Sequence, residues 1–336
     1  MSLYEAKLSA AGQGTLPPLS IGSWQHKHVL DLDDFSREEI DLVFEIADGM
    51  VEILARDVKK VPTLRGKTIA TMFFEPSTRT RASFELAAKY LGADTVSLDA
   101  VKSSVAKGES LIDSLRTLQA LEIDTIIIRH PCSGAACIAA QHLETSIINA
   151  GDGCHAHPSQ GLLDIYTMKR QLGDLSGKKM VIIGDIMHSR VARSNIWGTR
   201  TFGISVVLCP PPTLVQHGMS EMIERCGLNH VRIEHKLDAA LEDADIIMPL
   251  RLQKERQPSG LIPSIREYIQ QYQLNPKRLL RARPGAIVMH PGPMNEGIEI
   301  SHDVAYGSNS LIEQQVTNGV AIRMALLYLI SGGKNR

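Results

Sequence analysis

FFEPSTRTRASFE, residues 73–85, joins the end of a predicted strand to the start of a predicted helix. Residues 67–74, which run into it, are short, apolar and rich in β-branched and aromatic side chains, as is typical of a buried strand. Residues 80–91 favour a helix, and Gly92 stands where that helix would end. Hydroxyl and guanidinium groups therefore fall at a helix N-terminus, which suits a phosphate, although a capped turn with solvated arginines would use the same residue types.

Composition limits the classes of protein to consider. The chain has 336 residues, enough for two domains, and a formal net charge of -1. It has no polybasic block and only 4% aromatic residues, so neither a nucleic-acid-binding nor a membrane-surface protein is expected. No apolar run reaches the roughly 18 residues of a membrane span, and no signal-peptide core is seen. The five cysteines form no CxxC pair, so we expect reduced thiols in a cytoplasmic protein.

Short apolar strands alternate with helices in both halves of the chain, which predicts an α/β fold with two doubly wound parallel-sheet lobes and a cleft between them. After a capping box at Ser36 and Glu39 and the opening stretch, the first half contains strands at 95–98, 124–129 and 146–149 and helices at 110–121 and 134–143. The second half contains a helix at 160–172 and strands at 179–184, 205–209, 231–234, 245–248 and 286–289. The long apolar helix 311–331 either closes the second lobe or returns to the first.

Polar groups follow six of these predicted strands. Ligands of open α/β sheets bind at the carboxyl ends of the strands, where loops lead into helices. Each of the six ends supplies a cation, a histidine or an unusual backbone turn, so the sequence predicts an anion-binding cleft. These groups are Arg79 with Thr80, Arg129, His157, Arg190, Arg251, and the run 290–293.

Three other kinds of site are disfavoured. Cys154, His155 and His157 lack a further ligand cluster, so no metal site is predicted. Gly184 follows a strand, but the GxGxxG pattern of a dinucleotide site is absent and no cofactor is predicted. Cys132 lies beside Arg129, and we expect it to be a buried core residue and not a nucleophile.

The motifs together resemble the aspartate carbamoyltransferase branch of the aspartate/ornithine carbamoyltransferase family, over residues 28–332. The ornithine branch typically carries HCLP and SMG motifs, which are missing here, whereas the segments 250–256 and 290–297 resemble the aspartate branch. Glu296 departs from the arginine of many relatives, and we expect it to affect local loop pairing. The matching motifs are FFEPSTRTRASFE (73–85), SSVAKGESL (103–111), RHP (129–131), NAGDGCHAHPSQGLLD (149–164), GDIMHSRVARS (184–194), LRLQKER (250–256) and HPGPMNEG (290–297).

The resemblance implies a domain division and a reaction. Residues 28–157 with 311–336 would form a carbamoyl-phosphate-binding domain, with the C-terminal helix returning to the first lobe, and 158–310 an aspartate-binding domain. Residues 1–27 would be a flexible arm. The reaction implied is transfer of the carbamoyl group of carbamoyl phosphate to L-aspartate, the committed step of pyrimidine synthesis. Such chemistry needs orientation and charge stabilisation and no covalent intermediate, which fits an arginine-rich cleft.

Site residues carry over from the resemblance position by position. The catalytic set would be Arg79, Thr80, Arg129 and His157. The carbamoyl phosphate would also contact Ser77, Thr78, Ser103, Gln160, Gly292 and Pro293. The aspartate would contact Lys107, Arg190, Arg251 and Gln253. Because the family contributes Ser103 and Lys107 from a neighbouring subunit, a homotrimer with shared sites is implied.

Some alternatives stay open at this point. A carbamoyltransferase for another amine, such as ornithine, would want neutral or acidic groups at Arg190 and Arg251. A two-lobed anion-binding protein without turnover is the rival from another class. The sequence also leaves open whether a regulatory chain or a dihydroorotase-like chain joins the trimer.

Overall fold

The protein folds around two separate β-sheets, and the computed structural model describes residues 24–99, 110–253 and 260–332. The strands of the first sheet are β1 (Thr68–Phe73), β2 (Asp94–Asp99), β3 (Thr125–His130) and β4 (Ser146–Asp152). Their order is β2-β1-β3-β4, and all neighbouring pairs are parallel. The strand that precedes the Ser-Thr-Arg-Thr residues is thus an inner strand of this sheet.

Five helices accompany the first sheet: α1 (Arg37–Leu54), α2 (Thr78–Tyr90), α3 (Leu111–Ala120), α4 (Ala135–His142) and α5 (Pro158–Leu172). The predicted capping box of α1 is confirmed, with Ser36 Oγ accepting from Glu39 N at 3.2 Å and Glu39 Oε2 accepting from Ser36 N at 2.9 Å. Helices α2 and α5 each begin two residues before their predicted start. In α5 the first residue is Pro158, whose fixed φ suits that position.

The second sheet is also entirely parallel. Its strands are β5 (Lys179–Ile183), β6 (Ser205–Cys209), β7 (Val231–Ile233), β8 (Ile246–Pro249) and β9 (Ile287–Val288), in the order β7-β6-β5-β8-β9. The helices that follow are α6 (Arg190–Thr199), α7 (Met219–Arg225), α8 (Leu237–Leu241), α9 (Ile265–Tyr272), α10 (Pro276–Leu279), α11 (His302–Ala305) and α12 (Ile312–Leu327). The predicted fold class is confirmed. Strand β9 is shorter than the predicted 286–289.

Both faces of the first sheet are covered by apolar side chains. Along β3, Ile126 and Ile128 enter one hydrophobic cluster and Ile127 enters another, and all three are at most 1% exposed. Alternate residues of a strand point to opposite faces, so a strand buried on both sides needs a continuous apolar run. The three consecutive isoleucines of β3 meet that need.

Helix α12 returns to the first sheet, which decides between the two positions that its sequence left open. It packs against α1, α2 and α5. Arg323 on α12 donates to Ser83 Oγ on α2 at 2.8 Å. A π-helical turn, Tyr328–Gly332, follows α12, and its Ser331 hydroxyl lies 2.8 Å from the Thr125 hydroxyl at the start of β3.

Two local features differ from simple expectation. Cys132, expected in the core, is exposed. It lies in the turn after β3, and its N–H donates to His130 Nδ1 at 3.0 Å. Cys132 is therefore outside the sheet and its side chain does not enter the core. Trp24, near the end of the predicted arm, packs its ring edge-on against Phe35. Within the described ranges no helix has both the length and the apolarity to cross a membrane.

Candidate active site

In each sheet the strand order reverses at one position, and both positions border the same cleft. The reversal lies between β1 and β3 in the first sheet and between β5 and β8 in the second. Ligands of open α/β sheets bind beside such points, at the carboxyl ends of the strands. A cavity of about 750 Å³ lies there, lined by residues that follow strands of both sheets. This volume is within the usual range for small-molecule sites.

The cavity brings together the predicted site residues that lie in the described ranges. Ser103 and Lys107 lie outside the described residues. The lining includes Ser77, Thr78, Arg79, Thr80, Arg129, His157, Gln160, Arg190, Arg251, Gln253, Gly292 and Pro293. It also includes polar residues for which no role was predicted, namely Glu75, Ser83, Ser189, Gln315 and Arg323.

The N-terminus of α2 forms one wall of the cavity. Ser77 is the N-cap residue but makes no side-chain capping bond, and the first turn carries no acidic residue. The hydroxyl and the first N–H groups of this helix are therefore suited to an anion, which the helix dipole favours. Thr78, Arg79 and Thr80 occupy this first turn.

Arg79 lies against the backbone of Gly292. A Cβ added to Gly292 would lie 2.5 Å from Arg79 Nη1, and the φ of Gly292 is +61°. Both facts favour glycine there, because a side chain would strain the turn and displace the guanidinium group. Burial and the charge of Arg251 lower the pKa of Arg79. Since two guanidinium groups repel each other across the cavity, a bound anion would relieve that repulsion.

Arg129 is fixed at the carboxyl end of β3. Its Nε donates to Glu75 Oε1 at 2.8 Å, and its Nη1 donates to Thr80 Oγ1 at 3.4 Å and to the Ala150 carbonyl at 3.3 Å. Charge-assisted bonds to a partly buried carboxylate hold a guanidinium group in one orientation. Arg129 is therefore set in position beside Thr80.

His157 is the N-cap residue of α5 and is 4% exposed. Its backbone N–H donates to Ser194 Oγ at 2.8 Å, whereas its Nδ1 is buried and has no partner within residues 24–99, 110–253 and 260–332. Burial, and then the charges of Arg129 and Arg190, hold the pKa of His157 well below its usual value. The imidazole is thus neutral at pH 7 and retains one donor and one acceptor nitrogen.

Arg190 spans the gap between the sheets from the start of α6. Ser189 caps that helix by accepting from Ala192 N at 3.1 Å, and the Arg190 side chain then bonds the same Glu75 carboxylate that Arg129 uses. Its Nη1 donates to the Gly153 carbonyl at 3.3 Å. Glu75 therefore joins one arginine from each sheet. The sequence did not reveal this, because an acidic residue in a strand-to-helix turn has no distinctive pattern.

Arg251 and Gln253 follow β8. Gln253 Nε2 donates to the His188 carbonyl at 3.1 Å, and His188 Nδ1 lies 2.9 Å from Asp185 Oδ1. These contacts tie the segment after β8 to the loop after β5. Glu296, by contrast, is not part of the cavity lining and pairs with His302 Nδ1 at 2.6 Å, so its contact is local to the loop.

Comparisons with known proteins identify the family. Residues 27–170 match the model of the aspartate/ornithine carbamoyltransferase carbamoyl-P binding domain, and residues 176–330 match the model of the Asp/Orn binding domain. The chain belongs to the aspartate/ornithine carbamoyltransferase family. The predicted family membership is therefore confirmed.

Relatives within this carbamoyltransferase family are close. The chain is 55% identical over 314 residues to the aspartate carbamoyltransferase catalytic subunit of Dehalococcoides mccartyi strain CBDB1, with 94% of both chains covered. It is 55% identical over 311 residues to that of Moorella thermoacetica, covering 93% of this chain and 99% of the relative.

Solved structures of the family share the fold. The aspartate transcarbamoylase of Trypanosoma cruzi, in complex with carbamoyl phosphate and aspartate, is 30% identical with a TM-score of 0.84, covering 94% of this chain and 99% of that one. The ornithine carbamoyltransferase of Pyrococcus furiosus is 29% identical with a TM-score of 0.82, covering 91% and 97%. The fold is thus common to both branches, and the acceptor must be argued from the site.

Proposed function

We propose that the protein is an aspartate carbamoyltransferase, which transfers the carbamoyl group of carbamoyl phosphate to the amine of L-aspartate and releases phosphate. The observation that carries this proposal is one cavity with cations on both of its sides. Arg79 and Arg129 come from the first sheet, and Arg190 and Arg251 from the second. Relatives at 55% identity with that name support the same acceptor.

Carbamoyl phosphate would bind on the first-sheet side. The N-terminus of α2, with Ser77, Thr78, Arg79 and Thr80, would hold the phosphate and counter the charge of the leaving oxygen. Thr80, Arg129 and the neutral His157 would polarise the carbamoyl oxygen. Gln160 and the backbone around Gly292 and Pro293 would bind the carbamoyl amino group.

Aspartate would bind on the second-sheet side. Its two carboxylates suit the guanidinium groups of Arg190 and Arg251, since planar donor pairs fit carboxylates bidentately. Gln253 lies beside them and would add a neutral contact. An ornithine side chain would place an ammonium group near these cations, which electrostatics disfavours.

The domain division and the assembly belong to the same proposal. Residues 28–157 with 311–336 would form the carbamoyl phosphate domain, and 158–310 the aspartate domain. Ser103 and Lys107 would enter the site of a neighbouring subunit in a cytoplasmic homotrimer, which a regulatory or dihydroorotase-like chain could join. Mixing Arg79→Ala chains with Lys107→Ala chains tests the shared site, because one interface of a hybrid would then hold an intact site. Absence of any recovered activity in reassembled hybrids would refute it.

An acceptor assay with labelled carbamoyl phosphate tests the reaction itself. The protein is incubated with L-aspartate, L-ornithine, L-glutamate and L-asparagine, and the labelled products are separated. We expect product from L-aspartate only. Product from ornithine would assign the other branch, and tight phosphate binding without any product would favour a non-catalytic anion-binding protein.

A further inference from the structure

Asp164, one helical turn after Gln160 on α5, is fully buried beneath the site. Three side-chain amides donate to its carboxylate. Gln160 and Gln315 donate to Oδ1 at 2.9 and 2.8 Å, and Asn195 donates to Oδ2 at 2.9 Å. These amides belong to α5, α12 and α6, so one carboxylate joins three helices that border the cleft.

The contacts of Gln315 and Asn195 fix their own orientations. Gln315 Oε1 accepts from the His290 N–H at 2.8 Å, so its nitrogen must be the atom that faces Asp164. Asn195 Nδ2 donates to the Val191 carbonyl at 3.0 Å as well as to Asp164. A carboxylate can only accept, and it therefore requires a nitrogen from each amide.

The same requirement applies to Gln160, with a consequence for the substrate. With one Nε2–H donated to Asp164, Gln160 retains its second Nε2–H and its Oε1, and of these Oε1 is the acceptor. The amino group of carbamoyl phosphate is a donor and needs an acceptor. A reversed Gln160 amide would set one NH₂ group against another.

We propose that Asp164 is a positioning residue that holds the Gln160 carboxamide with its oxygen toward the carbamoyl amino group. Asp164 also acts through Gln315, whose Oε1 accepts from the His290 backbone N–H. His290 leads into the turn at Gly292, which binds the same carbamoyl amino group in the proposed function. The inference rests on the proposed function, since it names the part of that substrate that Gln160 reads.

The ionisation of Asp164 is consistent with this role. Burial raises the pKa of Asp164 to about 6, although its amide bonds and the charge of Arg323 oppose the shift. The carboxyl group is therefore mainly ionised at pH 7.5. Hydrogen bonds to an ionised acceptor are roughly twice as strong as neutral ones, which makes the orientation firm.

A pair of isosteric ligands tests the inference without turnover. Acetyl phosphate has a methyl group where carbamoyl phosphate has its amino group, and the two share the phosphate. We compare the affinity of both ligands for the wild type, Asp164→Ala and Asp164→Asn. We expect the ratio of carbamoyl phosphate affinity to acetyl phosphate affinity to fall at least about tenfold in Asp164→Ala. In Asp164→Asn the fall should be smaller, about threefold, because the one amide oxygen can still accept from Gln160.

Asp245→Ala is the matched control for losing a buried carboxylate. Asp245 is 5% exposed, precedes β8 at the sheet edge opposite the cleft, and accepts from Lys179 N at 2.9 Å and Arg283 Nη1 at 3.0 Å. We expect this variant to lose stability in urea and to keep the wild-type ratio.

Two results would overturn the inference: an unchanged ratio in a folded Asp164→Ala protein, or an equal loss of both ligands. If Asp164→Ala does not fold, Asp164→Asn decides by the same ratio. A wild type that does not prefer carbamoyl phosphate over acetyl phosphate would also overturn this inference, because Gln160 would then not read the amino group, whereas the proposed function fails only if the acceptor assay yields no product from L-aspartate. The two failures are thus distinguishable.

Discussion

The two sides of the cleft hold their arginines in different ways. On the first-sheet side, Arg129 is bound by Glu75 and Thr80, both from the loop and helix that follow β1. On the second-sheet side, Arg190 reaches across to Glu75 and to the Gly153 carbonyl, which belong to first-sheet loops. Arg129 is therefore held within its own lobe, whereas Arg190 depends on the neighbouring lobe.

This difference separates two kinds of effect. A site whose donors are already fixed can stabilise developing charge without reorganisation, which is what the transfer step requires. A cation held across a gap depends on how closely the two sheets approach, so it affects binding of the second substrate. We expect substitutions on the first-sheet side to lower kcat. Substitution of Glu75, which joins the two sides, should raise the KM for aspartate.

The largest effect is expected for Arg79→Ala. It removes a guanidinium group at the N-terminus of α2 that faces the leaving phosphate in our proposal, and kcat should fall at least about a hundredfold. Steady-state rates with both substrates saturating measure this. Arg81→Ala is the control, because the Arg81 guanidinium lies 5.2 Å from the Phe73 ring centroid and does not line the cavity. Near-normal turnover in a folded Arg79→Ala protein would remove Arg79 from the mechanism.

Glu75→Gln tests the ion pairs by which Glu75 joins Arg129 to Arg190. The amide keeps the shape of the carboxylate but cannot neutralise two largely buried guanidinium groups. Both guanidinium groups lose their charged partner, but Arg129 keeps its bonds to Thr80 and the Ala150 carbonyl within its own lobe, whereas the bond that Arg190 keeps, to the Gly153 carbonyl, crosses the gap. We therefore expect the KM for aspartate to rise about tenfold, and the affinity for carbamoyl phosphate to change less. Glu52→Gln, at an exposed position on α1, should leave both unchanged. Equal losses of affinity for carbamoyl phosphate and aspartate would contradict the difference between Arg129, which is held within its own lobe, and Arg190, which is held across the gap.

Gly292→Ala tests how the position of Arg79 on the first-sheet side depends on the turn that it contacts. The added Cβ would lie 2.5 Å from Arg79 Nη1, so the guanidinium group or the turn must move, and kcat/KM should fall about tenfold. Gly297→Ala is a close control, because Gly297 also has a positive φ, +82°, but has nothing within 4 Å of its new Cβ. The control pays the same backbone strain without the contact. Similar rates in the two variants would show that strain alone accounts for the loss.

Much of this fold follows from short-range patterns. Buried strands such as β3 need uninterrupted apolar runs, and the capping box at Ser36 marks the start of α1 through a local hydrogen-bonding pattern. Cations and histidines directly after such strands indicate a cleft, since parallel strands end at one edge of the sheet. The positions of Arg79, Arg129, His157, Arg190 and Arg251 in one cavity therefore agree with a prediction from sequence.

Other features depend on contacts between distant parts of the chain. Gln315 and Arg323 lie in a helix that looks apolar in sequence, and their partners Asp164 and Ser83 are more than a hundred residues away. Polar residues inside an apolar helix were the available signal, but it does not say what they face. Cys132 was wrongly predicted to be buried, because its exposure follows from the geometry of the turn after β3, which the residue type does not indicate.

The smallest expected effect concerns His157 and pH. The unfolded chain binds a proton on this residue at the ordinary histidine pKa near 6.5, whereas burial and the nearby arginines lower the pKa in the folded protein. Below pH 6.5 the unfolded state therefore binds more protons, so the free energy of unfolding falls as the pH falls. Between pH 6.5 and 5.5 the wild type should lose about 1 kcal/mol more stability than His157→Gln, which has no titrating group there.

Urea unfolding of both proteins at a fixed chain concentration, from pH 7.5 to 5.5, measures this difference. His217→Gln, at an exposed position, serves as the control and should run parallel to the wild type. A difference between wild type and His157→Gln that stays constant below pH 6.5 would mean that the folded protein also protonates His157. Arg129 and Arg190 would then lie beside a third cation. The proposal that a neutral His157 imidazole polarises the carbamoyl oxygen would have to be abandoned.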